Sequence, residues 1–334
     1  YKKRKVLKSS FLVLLYTCSV PRCQFFQLDT LYSMKHIKVI LLLITLILIS
    51  SNSSAENFKK KFKELGEKKD AVKQIALLRK WEKTSPNDAE LFVAYFNYYI
   101  QKSMNDMISL DRVQKGEHSF AFEDSTGQVA GYLNNHTEYE PKNLQKAFDY
   151  IDKGIKAYPD RLDMRFGKIY MLGKIPDYRK FTDEIIRTID YSSTNKNVWQ
   201  WTDNKPQETP KEFMLASIQD YVLQLYHTND DALLDNMIQI SEAILKYYPE
   251  HIESLSNVSV AYLLKKNYDK GLEPLLRAEK IAPTDYIVLN NIAQAYKMKG
   301  DNANAIKYYE LTYKYGDERA KKHAQQEIDI LKTK

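Results

Sequence analysis

Cysteine is almost missing from this chain, and the two it has, Cys18 and Cys23, both lie among the first 54 of its 334 residues. Everything beyond them is therefore without disulfides, cysteine nucleophiles and thiolate metal sites. Long apolar runs are missing as well. Val39 to Ile49 passes without a charge, but eleven residues fall short of the about 20 that a helix needs to cross a bilayer core. Charge of one sign is scarce once the start is set aside. Residues 1–54 hold eight of the 50 Lys and Arg and one of the 43 Asp and Glu, so the remainder stands at 42 against 42. Nucleic-acid binding needs a basic face or groove, and no such excess is left to build one. Catalytic motifs are missing too: no His-Glu-x-x-His, no Gly-x-Ser-x-Gly and no phosphate-binding glycine loop occurs. The histidines His118, His136, His227, His251 and His323 are scattered without metal-ligand spacing. The sequence gives no reason to expect a cofactor, a metal or an enzyme.

The start of the chain reads in two parts. Residue 1 is tyrosine and the first methionine is Met34. From Met34 there follow a basic stretch (Lys35, His36, Lys38), the apolar run to Ile49, and small residues at Ser53 and Ala55. This is the layout of a cleaved secretory signal peptide over 34–55, with cleavage expected after Ala55. A periplasmic or secreted location is expected from it, with membrane contact only through the leader. Residues 1–33 are read as translated upstream sequence or a mis-called start, the alternative being a chain whose true N-terminus is missing. Thr17 and Arg22 precede the two cysteines, in places where a bacterial lipoprotein signal needs a small residue.

What the chain does have is a repeat. Thirty-four residues apart, Pro249 recurs as Pro283, Asn257 as Asn291, Val258 as Ile292, Ala261 as Ala295 and Tyr262 as Tyr296. Leu272 and Leu275 return as Ile306 and Tyr309. A fixed period of this size marks stacked helical hairpins, because one hairpin cannot bury its apolar stripe alone. Small residues (Ala261, Ala278, Ala295, Ala305) let helices approach, aromatic and leucine side chains fill the gaps, and each proline ends a hairpin. This small/aromatic/small pattern with a closing proline resembles the tetratricopeptide repeat (TPR) family. It departs from the family's usual first-helix tryptophan, where Leu255 and Leu289 stand, and has Gly271 where alanine is preferred. The resemblance implies an all-α, right-handed helical-hairpin solenoid over 56–334, with about six helix pairs and a C-terminal capping helix. It also implies a non-enzymatic scaffold that binds another protein or peptide along a concave face.

The helical pattern extends upstream less regularly. Hairpins are expected over 56–85 before Pro86, from Ala89 to Ile100 with its partner helix only at Leu144 to Pro159, from Leu162 to Ile189 and from Lys211 to Tyr248, with a cap striped by Ala320, Ala324, Ile328 and Leu331. Two interruptions break it, at 101–141 and at 191–210. In the first, Ser119–Glu123 and Gln128–Leu133 flank Asp-Ser-Thr-Gly and read as a short β-hairpin. Long insertions of this kind are functional or disordered.

Candidate binding residues come from both parts. The resemblance places Ser256, Asn257, Asn290, Asn291 and Gln294 in the groove, where carboxamides offer donor and acceptor to an extended backbone. The alternative is that repeat asparagines serve inter-helix or turn hydrogen bonds. A Lys/Arg clamp for a C-terminal carboxylate is missing at the matching positions. Trp199 and Trp201 stand in a polar break; they would stack on a sugar or anchor a partner, or fold back over a neighbouring hairpin. Glycan binding through this pair is thus the second functional expectation, and a helical-toroid hydrolase the third.

Overall fold

The computed structural model describes residues 57–114 and 118–333, so the leader readings over 1–33 and 34–55 lie outside the described residues. Helical residues 57–67 form α1, followed by α2 (Ala71–Thr84) and α3 (Ala89–Ser103). Strands β1 (Met104–Asp111), β2 (His118–Glu123) and β3 (Val129–Tyr139) come next, then α4 (Pro141–Ala157), α5 (Leu162–Lys174) and α6 (Tyr178–Thr194). Two-residue strands β4 (Gln200–Trp201) and β5 (Lys205–Pro206) bracket a 3₁₀ turn, Thr202–Asn204. The rest is helical: α7 (Pro210–His227), α8 (Leu234–Tyr247), α9 (Ile252–Leu264), α10 (Tyr268–Ile281), α11 (Tyr286–Lys299), α12 (Asn302–Tyr315) and α13 (Glu318–Lys332).

One turn recurs between hairpins, and proline dictates it. After α2, α4, α8 and α10 the chain runs Ser85-Pro86, Tyr158-Pro159, Tyr248-Pro249 and Ala282-Pro283. A residue before proline is driven out of the helical region, and these four adopt nearly one conformation, with φ from −129 to −143° and ψ from 68 to 75°. In each case its N–H still donates to the carbonyl four residues back, at 2.7–2.9 Å, and its carbonyl accepts from the N–H three residues on, at 3.0–3.1 Å. The helix ends and the chain is re-aimed in three residues.

The turns inside hairpins are equally stereotyped. Asp70, Asp177, Asn267 and Asp301 cap the second helices, each accepting from the N–H three residues on. The residue before three of them is left-handed: Lys69 (φ 54°), Lys266 (φ 62°) and Gly300 (φ 89°). Only glycine takes that conformation without a steric penalty. Gly271 answers to a different need, since a Cβ there would lie 2.7 Å from Leu263 Cδ2.

The chain divides into two compact units. The N-terminal unit comprises the described residues up to Met171 together with Trp199–Gln207. In it, α3 and α4 pack as a hairpin although the sheet separates them in sequence. Phe96, Ile100, Ala147, Ile151 and Met164 share a core, and a Cβ on Gly154 would strike Phe92. The sheet leaves and rejoins this hairpin at one point, where Glu140 N donates to Ser103 O at 2.7 Å. Its order is β1-β3-β2, all antiparallel. The short hairpin expected around Asp-Ser-Thr-Gly is β2–β3, and β1 adds a third strand that the sequence reading did not include.

The C-terminal unit, Leu172–Val198 with Glu208–Lys334, carries the regular hairpins α9/α10 and α11/α12. Helix α13 closes it by burying the expected stripe of Ala320, Ala324, Ile328 and Leu331. Each unit is thus built of stacked helical hairpins like those of tetratricopeptide folds, the N-terminal one with a small sheet inserted into it.

Candidate interaction surfaces

The first helices of the regular hairpins, α9 and α11, bury nine of 13 and eight of 14 residues, because hairpins press on them from more than one side. Ser256, Asn257, Asn290 and Asn291 are each 1% exposed and Gln294 is 5% exposed. Two of the five have partners inside the unit. Asn257 Nδ2 donates to Gln219 Oε1 of α7 at 2.6 Å, and Gln219 Nε2 returns a bond to Asn257 Oδ1 at 3.4 Å. Gln294 Oε1 accepts from the Tyr309 hydroxyl at 2.7 Å, and burial pushes that phenol up from its usual pKa. Among the described residues, Ser256 Oγ, Asn290 Oδ1, and Asn291 Oδ1 and Nδ2 have no hydrogen-bond partner, although each is buried. Asn257 and Gln294 are therefore spent on packing between helices; Ser256, Asn290 and Asn291 are not.

The second place is the loop of β4 and β5. Trp199 is 1% exposed, with the Arg165 guanidinium 5.8 Å from its ring centroid. Trp201 meets Phe166 edge-on at 6.4 Å between centroids. A ring as deeply buried as Trp199 offers no face to a sugar, and the pair packs against its own unit.

What anchors this loop is Arg161, which the sequence reading did not single out. Its side chain is fully buried. Nε and Nη2 clasp Asp163 at 2.8 and 2.7 Å, Nη2 also meets Glu90 at 2.8 Å, and Nη1 donates to Asn204 Oδ1 at 3.0 Å. Lys59 then bridges Glu90 and Asp203, and Asp203 N donates to Glu90 Oε1 at 2.9 Å. Burial alone would push the guanidinium down, but the bonds and charges of Asp163 and Glu90 outweigh it and raise its pKa. Asp203 and Asn204 are left-handed (φ 61° and 55°), a conformation that Asp and Asn bear better than most residues. The signal for Arg161 was positional. It fills the slot where Asp88, His251 and Asp285 cap the next helix after the same proline turn.

The third place is the sheet. The register sets Leu110, Leu133 and Phe120 in one row across all three strands, with Ile108 and Phe122 flanking it on the same face. Ile108, Leu110 and Phe120 are 73, 69 and 73% exposed. The other face is mixed, with Met107, Ala121 and Tyr132 beside polar groups, and on it Asn134 Nδ2 donates to Asp111 Oδ2 at 3.2 Å and to Val113 O at 3.0 Å.

Among the described residues no group of three or more His, Cys, Asp or Glu is placed to hold a metal ion, and no helix is long and apolar enough to cross a membrane. No protein-family model matches the chain, and no curated protein sequence matches it. Solved structures do show likeness. PilW, a type IV pilus biogenesis factor, is 10% identical over 77% of this chain and 90% of its own, with a TM-score of 0.32. YrrB, a TPR protein with an unusual peptide-binding site, is 17% identical over 73% and 95%, with a TM-score of 0.32. A tetratricopeptide repeat protein from Parabacteroides merdae is 12% identical over 84% and 93%, with a TM-score of 0.34.

Proposed function

We propose that this chain is a non-enzymatic scaffold that holds a partner protein or peptide, and that the leader over 34–55 delivers it to the cell envelope. The observation that carries the binding half is the set of buried, unpaired polar groups on α9 and α11: Ser256 Oγ, Asn290 Oδ1, and both side-chain polar atoms of Asn291. Leaving such a group unpaired costs about 1–3 kcal/mol, so unpaired groups in a native fold ask for an explanation. An extended peptide backbone carries a donor and an acceptor on each residue and would satisfy them. Because these groups are only about 1% exposed, a ligand reaches them after a local opening. Association should then be slower than the about 10⁵–10⁷ M⁻¹s⁻¹ of ordinary surface docking.

The test is affinity capture on the full chain, comparing wild type with Asn290→Ala/Asn291→Ala. Removing unpaired groups leaves no partner stranded, so the variant should melt at or above the wild-type temperature while losing its partner. An unchanged set of captured proteins sinks the groove reading. Location rests on the leader pattern, and N-terminal sequencing of the exported protein should begin at Glu56. Recovery of the protein only in the cytoplasm removes that half.

A further inference from the structure

The sheet at 104–139 has features that its packing does not use. Among the described residues, strand order β1-β3-β2 leaves β1 with a neighbouring strand on one side only. Edge strands are usually blunted by lysine, proline or a bulge. β2 has a register shift at Phe122/Glu123, whereas β1 pairs in unbroken register over eight residues, Met104–Asp111, and contains neither lysine nor proline. Beside that edge lies the apolar row of Leu110, Leu133 and Phe120, with Ile108 next to it. Edge and face together are what an added strand needs, one for main-chain hydrogen bonds and the other for alternate side chains.

Charge selects the occupant. Residues 104–139 carry six Asp and Glu against two Lys and Arg, although the chain beyond residue 54 is balanced. On β1 itself Asp106 and Asp111 are the charged residues. Among the described residues, Asp106, Glu123 and Asp124 make no ion pair with a Lys or Arg; Asp106 accepts from Thr137 across the sheet at 3.0 Å, on the apolar face. Opposite charges on facing strands attract and like charges repel, so a basic strand is favoured over an acidic one. Size argues against a second copy stacking face to face. Three strands by about five residues make a face of roughly 10 by 16 Å, and two such faces bury only a few hundred Å², against about 1,200 Å² for a stable interface.

We infer that β1 is a docking edge for an extended segment of another protein, one that alternates apolar side chains on one face and carries Lys or Arg opposite Asp106. The segment adds as a fourth strand and lays its apolar side chains beside Ile108 and Leu110. This shares with the scaffold reading only that the ligand is protein, and it uses a different surface.

The experiment uses the full chain and three short fluorescein-labelled peptides alternating Val and Thr. One has Lys near both ends, one has Glu in those places, and one is the Lys peptide with alternate amides N-methylated. Anisotropy should show the Lys peptide binding, the other two at least about tenfold weaker, and affinity falling as salt rises. Ile108→Lys/Leu110→Lys should lose about tenfold or more while melting like wild type, since both side chains are at least 69% exposed. A separate variant, Asp106→Lys, should weaken the Lys peptide and strengthen the Glu peptide. Equal binding of the Lys and Glu peptides overturns the proposal, as does undiminished binding of the N-methylated peptide or an unaffected Ile108→Lys/Leu110→Lys variant. Concentration-dependent dimers abolished by that variant overturn it in favour of a self-interface. Binding to vesicles of phosphatidylglycerol and phosphatidylcholine lost in the same variant overturns it in favour of a membrane. If the peptides fail while capture still depends on Asn290 and Asn291, the sheet assignment falls and the groove reading survives.

Discussion

After Tyr248-Pro249 the chain enters α9 through His251, and after Ala282-Pro283 it enters α11 through Asp285. After Tyr158-Pro159, with almost the same backbone, it meets Arg161 instead. Where a side-chain acceptor sits in that slot, it accepts from an N–H of the next helix: His251 Nδ1 from Ser254 N at 3.3 Å, Asp285 Oδ1 from Ile287 N at 2.9 Å. Those hairpins follow one another without insertion. A guanidinium cannot accept a hydrogen bond, and a buried charge needs partners. Arg161 draws them from three places in the chain, Glu90, Asp163 and Asn204. One residue type in one turn separates a hairpin that needs only its neighbours from one that needs a loop some forty positions away.

If this contrast is right, Arg161→Met should have the largest effect. It removes the cation from Asp163 and leaves Glu90 with Lys59 as its ion-pair partner, the two carboxylate side chains being only 12 and 11% exposed, and should cost about 3–5 kcal/mol, the usual loss when one partner of a buried ion pair is removed. Urea unfolding followed through tryptophan fluorescence measures it, since Trp81, Trp199 and Trp201 all lie in the N-terminal unit, and a loss under about 1 kcal/mol would break the comparison. Arg161→Met with Glu90→Gln and Asp163→Asn should recover part of the loss.

In the regular unit, Asn257→Ala strands Gln219 and should cost about 1–3 kcal/mol. A double-mutant cycle with Gln219→Ala should show positive coupling; additive losses would mean that the two carboxamides act independently.

Acid sharpens the contrast further. Burial holds the His251 and His323 imidazoles below their ordinary pKa, and both lie in the C-terminal unit. The unfolded chain therefore takes up these protons first as pH falls. Stability should be full above the unfolded value of about 6.5 and decline below it, until the folded imidazoles themselves titrate. For His251 the loss includes its cap, worth about 1 kcal/mol, because a protonated Nδ1 cannot accept from Ser254. Urea midpoints from pH 8 down to pH 5 test this, and His251→Asn should flatten the curve without losing the cap. A wild-type midpoint that does not move sinks the assignment.

The smallest effects belong to the left-handed turn residues. Gly300→Ala should destabilise by about 1 kcal/mol, and Lys266→Gly should stabilise by a few tenths to about 1 kcal/mol, since each changes only the strain of one turn position. Thermal melts of the two variants should shift in opposite directions.

Much of this architecture was legible in the residues because proline and the helical caps are local. Pro86, Pro159, Pro249 and Pro283 marked the turns, and the stripe ending at Leu331 marked the final helix, with no knowledge of long-range contacts. The third strand was not legible. Met104–Asp111 lies inside the break at 101–141 and follows α3 without a glycine or proline, and only Ile-Ser-Leu-Asp at its end alternates, too short a run to announce a strand. The Arg161 assembly was illegible for a related reason: its members lie at 59, 90, 161, 163, 203 and 204, and only folding makes them neighbours. The candidate groove residues came from the resemblance, and a resemblance of pattern says nothing of burial. Asn257 and Asn291 occupy equivalent places, yet one is tied to Gln219 and the other has no hydrogen-bond partner among the described residues.

The loop Trp199–Gln207 belongs to the N-terminal unit but is encoded after the first 27 residues of the C-terminal one. During synthesis, hairpins α1 to α4 emerge with Arg161 behind them and its Asn204 partner still unmade. Until the ribosome has passed Asn204, a charge destined for complete burial is either in water or only partly compensated. The N-terminal unit thus cannot finish in the order in which it is written, and α6 leaves the exit tunnel before its predecessor is sealed. Protease challenge of stalled nascent chains should show resistance of the α3/α4 hairpin rising after Asn204 has cleared the tunnel; resistance already complete in chains ending at Val198 would show that the loop is a late ornament.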